Sequence, residues 1–151
     1  MINLMSSILI DRPIKHVFDF VSAPENDFQW QYGTLAAATL PKQSGTLQTF
    51  FRSIGHLMGR RNLGTFEVTE FVPDKKYSFV SLSGPLHSST SYILEGTGSR
   101  TRIDICTRVS APDFFQVTER LLGSTLKAQL REDGASLKKL LEAGTPGPGK
   151  P

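Results

Sequence analysis

The hydrophobic and polar positions near the N-terminus predict a strand followed by helices. A short apolar run over residues 2–10 favours a strand, and the next element is a helix for which Asp11 is the expected cap. The apolar positions of this helix recur at i, i+3, i+4 and i+7 and are Ile14, Val17, Phe18 and Val21. A second short helix is predicted over residues 25–31, and its apolar side chains are Phe28 and Trp30.

From residue 34 to residue 109 the pattern changes to short runs interrupted by Gly, Pro and Ser, which is typical of antiparallel strands. The predicted strands are residues 34–40, 46–58, 63–72, 77–83, 86–94 and 101–109, with a turn at residues 59–62. The last strand alternates between two sets of side chains, Ile103, Ile105, Thr107 and Val109 against Arg102, Asp104, Cys106 and Arg108. Such alternation indicates a sheet with one packed face and one face in water.

A long amphipathic helix is predicted over residues 110–143. Ser110, Pro112 and Asp113 suit a helix start, and Gly144 marks its end. The apolar stripe of this helix consists of Phe115, Leu122, Leu126, Leu130, Leu137, Leu140 and Leu141. Because the stripe needs a surface to pack on, we expect the helix to cover the apolar face of the sheet in an α+β arrangement. Residues 1–143 would then form a single domain, followed by a disordered Gly/Pro tail at residues 144–151.

Composition narrows the class of protein. Of the 151 residues, 38% are hydrophobic and 21% are charged, as in a soluble globular domain. No apolar run reaches the roughly 18 residues of a membrane span, and the N-terminus lacks the basic start of a secretory signal. The net charge is +3, but the basic residues are scattered apart from Arg60-Arg61, so we expect no nucleic-acid partner. The single cysteine, Cys106, precludes an internal disulfide and suits a cytoplasmic protein.

Several segments carry a family resemblance, namely residues 8–13 leading into residues 17–21, Pro24-Glu25, Trp30, and residues 64–73, 99–103 and 137–142. In this order they resemble the START-like, or SRPBCC, superfamily and specifically its polyketide cyclase/dehydrase-like branch. The resemblance implies the helix-grip fold, in which a curved antiparallel β-sheet wraps around a long C-terminal α-helix, with two short helices after the first strand. It also implies an apolar cavity between sheet and helix that takes a hydrophobic molecule, with no metal and no tightly bound cofactor.

The residues predicted to line this cavity are Trp30, Arg52, Phe66, Val68, His87, Tyr92, Ile103, Ile105, Phe115, Leu122, Leu126, Leu130 and Asp133. Asp133 is the discordant member, because it lies seven residues from both Leu126 and Leu140 and therefore within the apolar stripe. If its carboxyl group were buried without a partner, its pKa would rise, which suits a general acid or a ligand anchor. The simpler alternative is that bending at Gly134 lets Asp133 reach water or an arginine of the sheet.

The other polar candidates have equally simple alternatives. Arg52 would suit a ligand carboxylate, but half of its strand faces solvent, which favours exposure. His56 and His87 have side chains that titrate near neutral pH, but both lie near predicted turns, which favours a position at the rim. Trp30 and Tyr92 suit a pocket wall and a packed core equally well.

No catalytic motif accompanies these residues. The sequence lacks a P-loop, a Gly-x-Gly-x-x-Gly motif, the ligand spacing of a zinc site and a Gly-x-Ser-x-Gly elbow. We therefore predict the binding of a small hydrophobic molecule, such as a lipid, quinone, sterol or polyketide-like compound, by a monomer or a homodimer. One alternative is a polyketide cyclase or dehydratase that acts in the same cavity. Its acid/base and oxyanion groups would come from Asp133, Arg52, His56, His87 or Tyr92, and none of them is assigned as catalytic. The other is a protein-interaction module whose contact surface is the helix edge of Phe114, Val117 and Leu121.

Overall fold

One antiparallel sheet of seven strands dominates residues 1–42, 45, 48–110 and 118–143, which are the residues that the computed structural model describes. The strands are β1 (Ile2–Ile10), β2 (Thr34–Thr39), β3 (Thr49–Leu57), β4 (Arg60–Val72), β5 (Lys76–Ser81), β6 (His87–Thr97) and β7 (Arg100–Ser110). The helices are α1 (Ile14–Val21), a 3₁₀ helix (Pro24–Gln29) and α2 (Glu119–Ala143). The prediction of an α+β helix-grip fold is therefore confirmed.

The strand order is β1-β7-β6-β5-β4-β3-β2, so β2 to β7 form a meander and β1 is added at the edge beside β7. In the β1–β7 pair, Ile8 lies opposite Ile103 and Ile2 lies opposite Val109. This register aligns the apolar positions of the first and last strands on one face. The N-terminal strand thereby completes the surface on which α2 packs.

The apolar face of β7 is buried, which confirms its predicted alternation. Ile103 and Ile105 are 0% and 2% exposed. They belong to the main hydrophobic core together with Leu137 and Leu141 of α2 and Phe18 of α1. A second buried cluster lies toward the N-terminal end of α2 and consists of Ile2, Leu57, Val109 and Leu122. Removal of these side chains from water is the main force that holds the helices on the sheet.

The β3–β4 connection is shorter than the turn predicted at residues 59–62, and that prediction was wrong. Only Met58 and Gly59 lie between the two strands, and their φ angles are 52° and 82°. Positive φ at both central residues is the geometry of a type I′ hairpin, whose twist matches that of the flanking strands. Residues 60–62 consequently continue β4 and pair with the end of β3.

The long helix begins later than predicted. Ser110 is the last residue of β7 and pairs with His87 of β6, so the prediction that it starts the helix was wrong. In the described chain the cap is Thr118, whose Oγ1 accepts a hydrogen bond of 3.1 Å from the backbone N–H of Leu121. The remaining predictions for this region, including Pro112, Asp113, Phe114, Phe115 and Val117, and the predicted tail at residues 144–151 lie outside the described residues.

The short helices also differ from prediction at their ends. The N-cap of α1 is Pro13, without a side-chain hydrogen bond, so the expected cap at Asp11 was wrong. The backbone N–H of Asp11 instead donates to Glu142 Oε2 of α2 at 2.8 Å, because the chain leaves β1 beside the end of α2. The second short helix spans Pro24–Gln29 with 3₁₀ geometry.

The long helix α2 runs alongside the edge strand β1 in the same direction. At one end the amino group of Met1 forms an ion pair with Glu119, and at the other Lys138 Nζ donates to the carbonyl oxygen of Leu9 at 2.7 Å. Between these ends Gly134 is buried against Ile8, and a Cβ at position 134 would lie 2.9 Å from Ile8 Cδ1. Helix and strand come this close because glycine has no side chain. The helix therefore covers a strand edge that would otherwise be available for pairing with another chain.

The contact at Gly134 predicts opposite effects for two alanine substitutions in the same helix. Gly134→Ala should lower the free energy of unfolding by about 1 to 2 kcal/mol, because Ile8 has to move. The matched control is Gly123→Ala, whose Cβ would meet Ile2 at an ordinary 3.6 Å. It should raise the free energy of unfolding by about 0.5 to 1 kcal/mol through helix propensity alone. Chemical denaturation measures both values, and equal gains in the two variants would contradict the close approach.

Candidate functional site

A cavity of about 260 Å³ lies between α2, the sheet and the segment that joins the 3₁₀ helix to β2. From α2 it is lined by Leu130 and Asp133, and from β6 by Ser88, Thr90 and Tyr92. The three β6 residues alternate along the strand, so their side chains share one face of the sheet. The lining is accordingly both aromatic and polar, whereas the resemblance implied an apolar cavity.

The aromatic part of the lining comes from three adjacent strands. Phe51 of β3 and Phe66 of β4 stack with ring centroids 5.0 Å apart and an interplanar angle of 12°. Phe79 of β5 meets both rings edge-on, at 5.3 Å and 5.8 Å. These three rings form an apolar wall suited to the body of a cyclic molecule.

The opposite end of the cavity carries a hydrogen-bonded chain of side chains. Trp30 and Tyr92 meet edge-to-face with centroids 6.1 Å apart. The Tyr92 hydroxyl accepts a hydrogen bond from Gln31 Nε2 at 3.3 Å, and Gln31 Oε1 in turn accepts one from Thr34 Oγ1 at 2.8 Å. Burial raises the pKa of Tyr92 well above its usual value, and the nearby Asp27 carboxyl adds to the effect. Tyr92 therefore keeps its proton and can donate a hydrogen bond.

Asp133 extends from α2 to the point where the cavity meets an adjoining depression of about 190 Å³, and it lines both. Its Oδ1 accepts a hydrogen bond of 3.0 Å from the backbone N–H of Tyr32. Burial raises the pKa of Asp133 to about 6, although the Tyr32 N–H acts in the opposite direction and the charge of Glu132 adds to the rise. A carboxyl group that titrates near pH 6 can exchange a proton with a molecule bound beside it.

Asp27 also lines the cavity, and the sequence analysis missed it. Its residue is 7% exposed, and burial raises the pKa of its carboxyl well above the usual value, helped by the charge of Glu25. Glu25 itself accepts a hydrogen bond from the backbone N–H of Thr39, which lowers the pKa of Glu25 and favours its ionised form. The sequence did contain a signal for this position, because Asp27 lies three residues before Trp30. In a 3₁₀ helix residues i and i+3 lie on the same side, so Asp27 could have been predicted to line the cavity with Trp30.

Two further buried polar groups lie close to Asp27. Trp30 Nε1 and the Tyr77 hydroxyl have no hydrogen-bond partner among the described residues. The Asp27 carboxyl raises the pKa of Tyr77, after the larger effect of burial, so the two side chains are neighbours. Native proteins satisfy almost all buried polar atoms, and exceptions concentrate where water or a ligand binds.

Among the described residues, six of the sequence-predicted candidates line the cavity, namely Trp30, Phe66, Tyr92, Ile105, Leu130 and Asp133. Four apolar candidates lie elsewhere. Ile103 is fully buried in the main core, and Val68 packs against that core. Leu122 belongs to the second cluster, and Leu126 lines the adjoining depression. Phe115 lies outside the described residues.

The basic candidates lie outside the cavity. Arg52 follows Phe51 and precedes Ser53, which both line the cavity, so the alternation of β3 directs Arg52 to the exposed opposite face. His87 is exposed at the first residue of β6. His56 contacts the ring of Tyr32 edge-on at 5.1 Å and lines the adjoining depression.

The described residues also bear on other kinds of site. They contain no group of three His, Cys, Asp or Glu side chains that could hold a metal ion. No helix in the described part of the chain is long and apolar enough to cross a membrane. Of the helix edge predicted for a protein contact, Leu121 is 50% exposed, and Phe114 and Val117 are not described.

Solved structures with this fold cover nearly the whole chain. A START superfamily protein from Mycobacterium smegmatis has a TM-score of 0.77 at 13% identity, with 96% of this chain and 100% of that chain covered. For the Zhui aromatase/cyclase from a Streptomyces species the TM-score is 0.72 at 12% identity, with 95% and 97% covered. For the protein TTHA0849 from Thermus thermophilus it is 0.78 at 14% identity, with 95% and 99% covered. At such low identity these similarities establish the fold alone.

No curated protein matches the chain significantly in sequence. A family described as polyketide cyclase/dehydrase and lipid transport matches residues 1–142, which include every described strand and all but the last residue of α2. The match agrees with the helix-grip architecture and with a cavity between sheet and helix. The chain therefore belongs to the polyketide cyclase/dehydrase and lipid transport family.

Proposed function

We propose that the protein, as a single domain over residues 1–143, binds a compact cyclic molecule with polar substituents in the cavity beneath α2. The observation that carries the proposal is a cavity with the stacked Phe51 and Phe66 rings on one side and the polar side chains of Gln31 and Asp133 on the other. An apolar wall gives a ring a surface to pack on, and polar groups fix its orientation.

The size of the cavity narrows the class of ligand. Small-molecule pockets usually measure about 300 to 1,000 Å³, and this one measures about 260 Å³. A one-ring or two-ring compound, such as a quinone or a small aromatic, fits this volume better than a sterol or a long-chain lipid. The hydroxyl-rich side chains of Ser88, Thr90 and Thr107 also favour a ligand that carries hydrogen-bonding groups.

Two serine positions on β6 test the location of binding. A compact aromatic ligand present at about 100 times its Kd should add roughly 2.7 kcal/mol to the free energy of unfolding, and a thermal-shift screen detects this gain. Ser88→Phe should abolish the shift, because the new ring occupies the cavity that Ser88 lines. The matched control is Ser89→Phe on the opposite face of the same strand, and it should keep the shift.

Each outcome of the serine test separates the possibilities. Loss of binding in the Ser88 variant alone supports a ligand site in the cavity. Retained binding in both variants would mean that the ligand binds elsewhere. If no compound in a broad panel of quinones, small aromatics, polyketides, sterols and lipids shifts the unfolding of the wild type, the binding proposal fails.

A second candidate function is acid–base catalysis, as in a cyclase or dehydratase. Asp133 and Tyr92 line the same cavity, and the Asp133 charge acts on Tyr92. A carboxyl group that titrates near pH 6 beside a protonated phenol can accept a proton while the phenol stabilises a developing oxyanion.

The catalytic candidate predicts a large effect of one isosteric change. Asp133→Asn should reduce turnover of a linear polyketide-like β-ketone on the order of 10²-fold or more, because the amide cannot take up the proton. The matched control, Asp19→Asn, makes the same change at an exposed residue of α1 outside the cavity and should leave turnover nearly unchanged. Product formation is followed by chromatography, and equal turnover in the two variants would exclude Asp133 as the base.

The proton on Asp133 also predicts a pH dependence of stability. A folded-state pKa of about 6, above the ordinary 3.8, means that the folded protein holds the proton more tightly than the unfolded chain. The protonated form of Asp133 therefore contributes fully to the stability of the fold below about pH 4, and this contribution is lost as the pH rises through about 6. Asp133→Asn should match the wild type near pH 4 and exceed it by about 1 kcal/mol at pH 7, after allowance for partial exposure. Urea denaturation at the two pH values measures the difference, and an equal difference at both would contradict the raised pKa.

A further inference from the structure

The two carboxyl groups that line the cavity come from separate elements, Asp27 from the 3₁₀ helix and Asp133 from α2. No Lys, Arg or His residue is among the described residues that line the same cavity. Neither aspartate takes part in a described ion pair. All of the described ion pairs lie at the outer surface of the sheet and helices. The cavity is thus acidic, and the described protein supplies no positive charge to balance it.

Asp27 is the less satisfied of the two aspartates. More than nine-tenths of the residue is buried, and burial is the main cause of the raised pKa of its carboxyl. The one charged group that acts on this pKa is Glu25, which is not a cation. A buried carboxylate without a cation is costly, so Asp27 keeps its proton unless a cationic ligand compensates the charge.

Asp133 is better satisfied, but it still has an oxygen free of described hydrogen bonds. Only its Oδ1 is bonded, to the backbone N–H of Tyr32. The groups that act on it or that it acts on are Glu132 on its own helix and Tyr92 across the cavity, and His56 lines the adjoining depression with it. A cation beside an aspartate would stabilise its ionised form. The neighbours of both aspartates in the cavity are instead carboxyl groups and phenols.

The aromatic residues of the cavity are also suited to a positive charge. The rings of Trp30 and Tyr92 at one end, and of Phe51 and Phe66 along the wall, have electron-rich faces that attract an ammonium group. The same faces offer no comparable attraction to a carboxylate or phosphate. Carboxyl groups and aromatic faces in one cavity form the environment that binds organic cations in water.

We propose that the ligand of this cavity is a compact cyclic amine whose protonated nitrogen lies against Asp133, with Asp27 on the wall formed by the 3₁₀ helix, while its ring packs beside Phe51 and Phe66. The inference rests on the proposed binding function and adds the charge of the ligand to it. The cavity discriminates against anions because a carboxylate would meet two acidic side chains without a cation.

Three probes with one carbon skeleton test the charge of the ligand. They are 1-naphthylmethylamine, 1-naphthylmethanol and 1-naphthoate, which carry an ammonium, a hydroxyl and a carboxylate group. Isothermal titration of the full chain at pH 7 should give the amine a Kd at least about tenfold lower than that of the alcohol, with no detectable binding of the acid. Because Asp27 is buried and Asp133 is only partly exposed, salt should reduce the preference for the amine without abolishing it.

Two substitutions test which carboxyl groups set the preference. Asp133→Asn should remove most of the difference in Kd between the amine and the alcohol. The Kd of the alcohol should stay within about twofold of the wild-type value, because the amide keeps the shape of the site. Asp19→Asn is the matched control, at an exposed residue of α1 that does not line the cavity, and it should keep the preference for the amine. Asp27→Asn provides an independent test, and its circular dichroism spectrum and unfolding transition establish that it folds.

The results separate failure of the inference from failure of binding. If the alcohol or the acid binds as tightly as the amine, the proposed charge of the ligand is wrong and the binding proposal stands. If the amine keeps its advantage in both aspartate variants, the assignment to these carboxyl groups is overturned. If neither the three probes nor any member of the broad panel binds, the binding function fails and the inference fails with it.

Discussion

The close contact between α2 and β1 is the constraint on which the rest of the structure depends. Gly134 lets the helix approach Ile8 on the first strand of the sheet order. Two α2 side chains reach the segment before β2, because Gln129 Nε2 would lie 2.8 Å from a Cβ at Gly33 and Asp133 Oδ1 accepts a hydrogen bond from the backbone N–H of Tyr32. Gly33 and Asp133 both line the cavity, so these side-chain contacts bound it on one side.

The walls of the cavity differ in chemistry because different elements supply them. Strands β3 to β5 supply the rings of Phe51, Phe66 and Phe79, whose edge and face contacts make a rigid surface. The 3₁₀ helix and α2 supply Asp27 and Asp133 from the opposite side. Aromatic side chains are favoured in strands because they pack on the pleated surface of a sheet. The carboxyl groups extend into the cavity from the two helices that face the sheet. The fold thus separates the surface that packs a ring from the groups that recognise its substituents.

The polar lining has a cost in stability that the hydrophobic core offsets. An aspartate whose pKa is raised by burial, and a tryptophan N–H without a partner among the described residues, each weaken the folded state. Ile103, Leu137 and Phe18 are nearly inaccessible to water and contribute in the opposite sense. Solved structures at 12% to 14% identity share this architecture, so many sequences meet the packing requirement. The fold therefore does not specify a function, which depends on the side chains that face the cavity.

The sequence by itself determined the order of the elements, the buried face of β7 and the discordance of Asp133, because each follows from a local period of two or of about 3.6 residues. Even Asp133 was predicted only by position, with exposure as the simpler alternative. Tertiary structure alone decided that Ser110 ends a strand, that Asp27 lines the cavity and that Arg52 does not. The first depends on pairing with β6, the second on how a 3₁₀ helix packs, and the third on strand register. Each of them depends on contacts between distant parts of the chain, which local periodicity does not specify by itself.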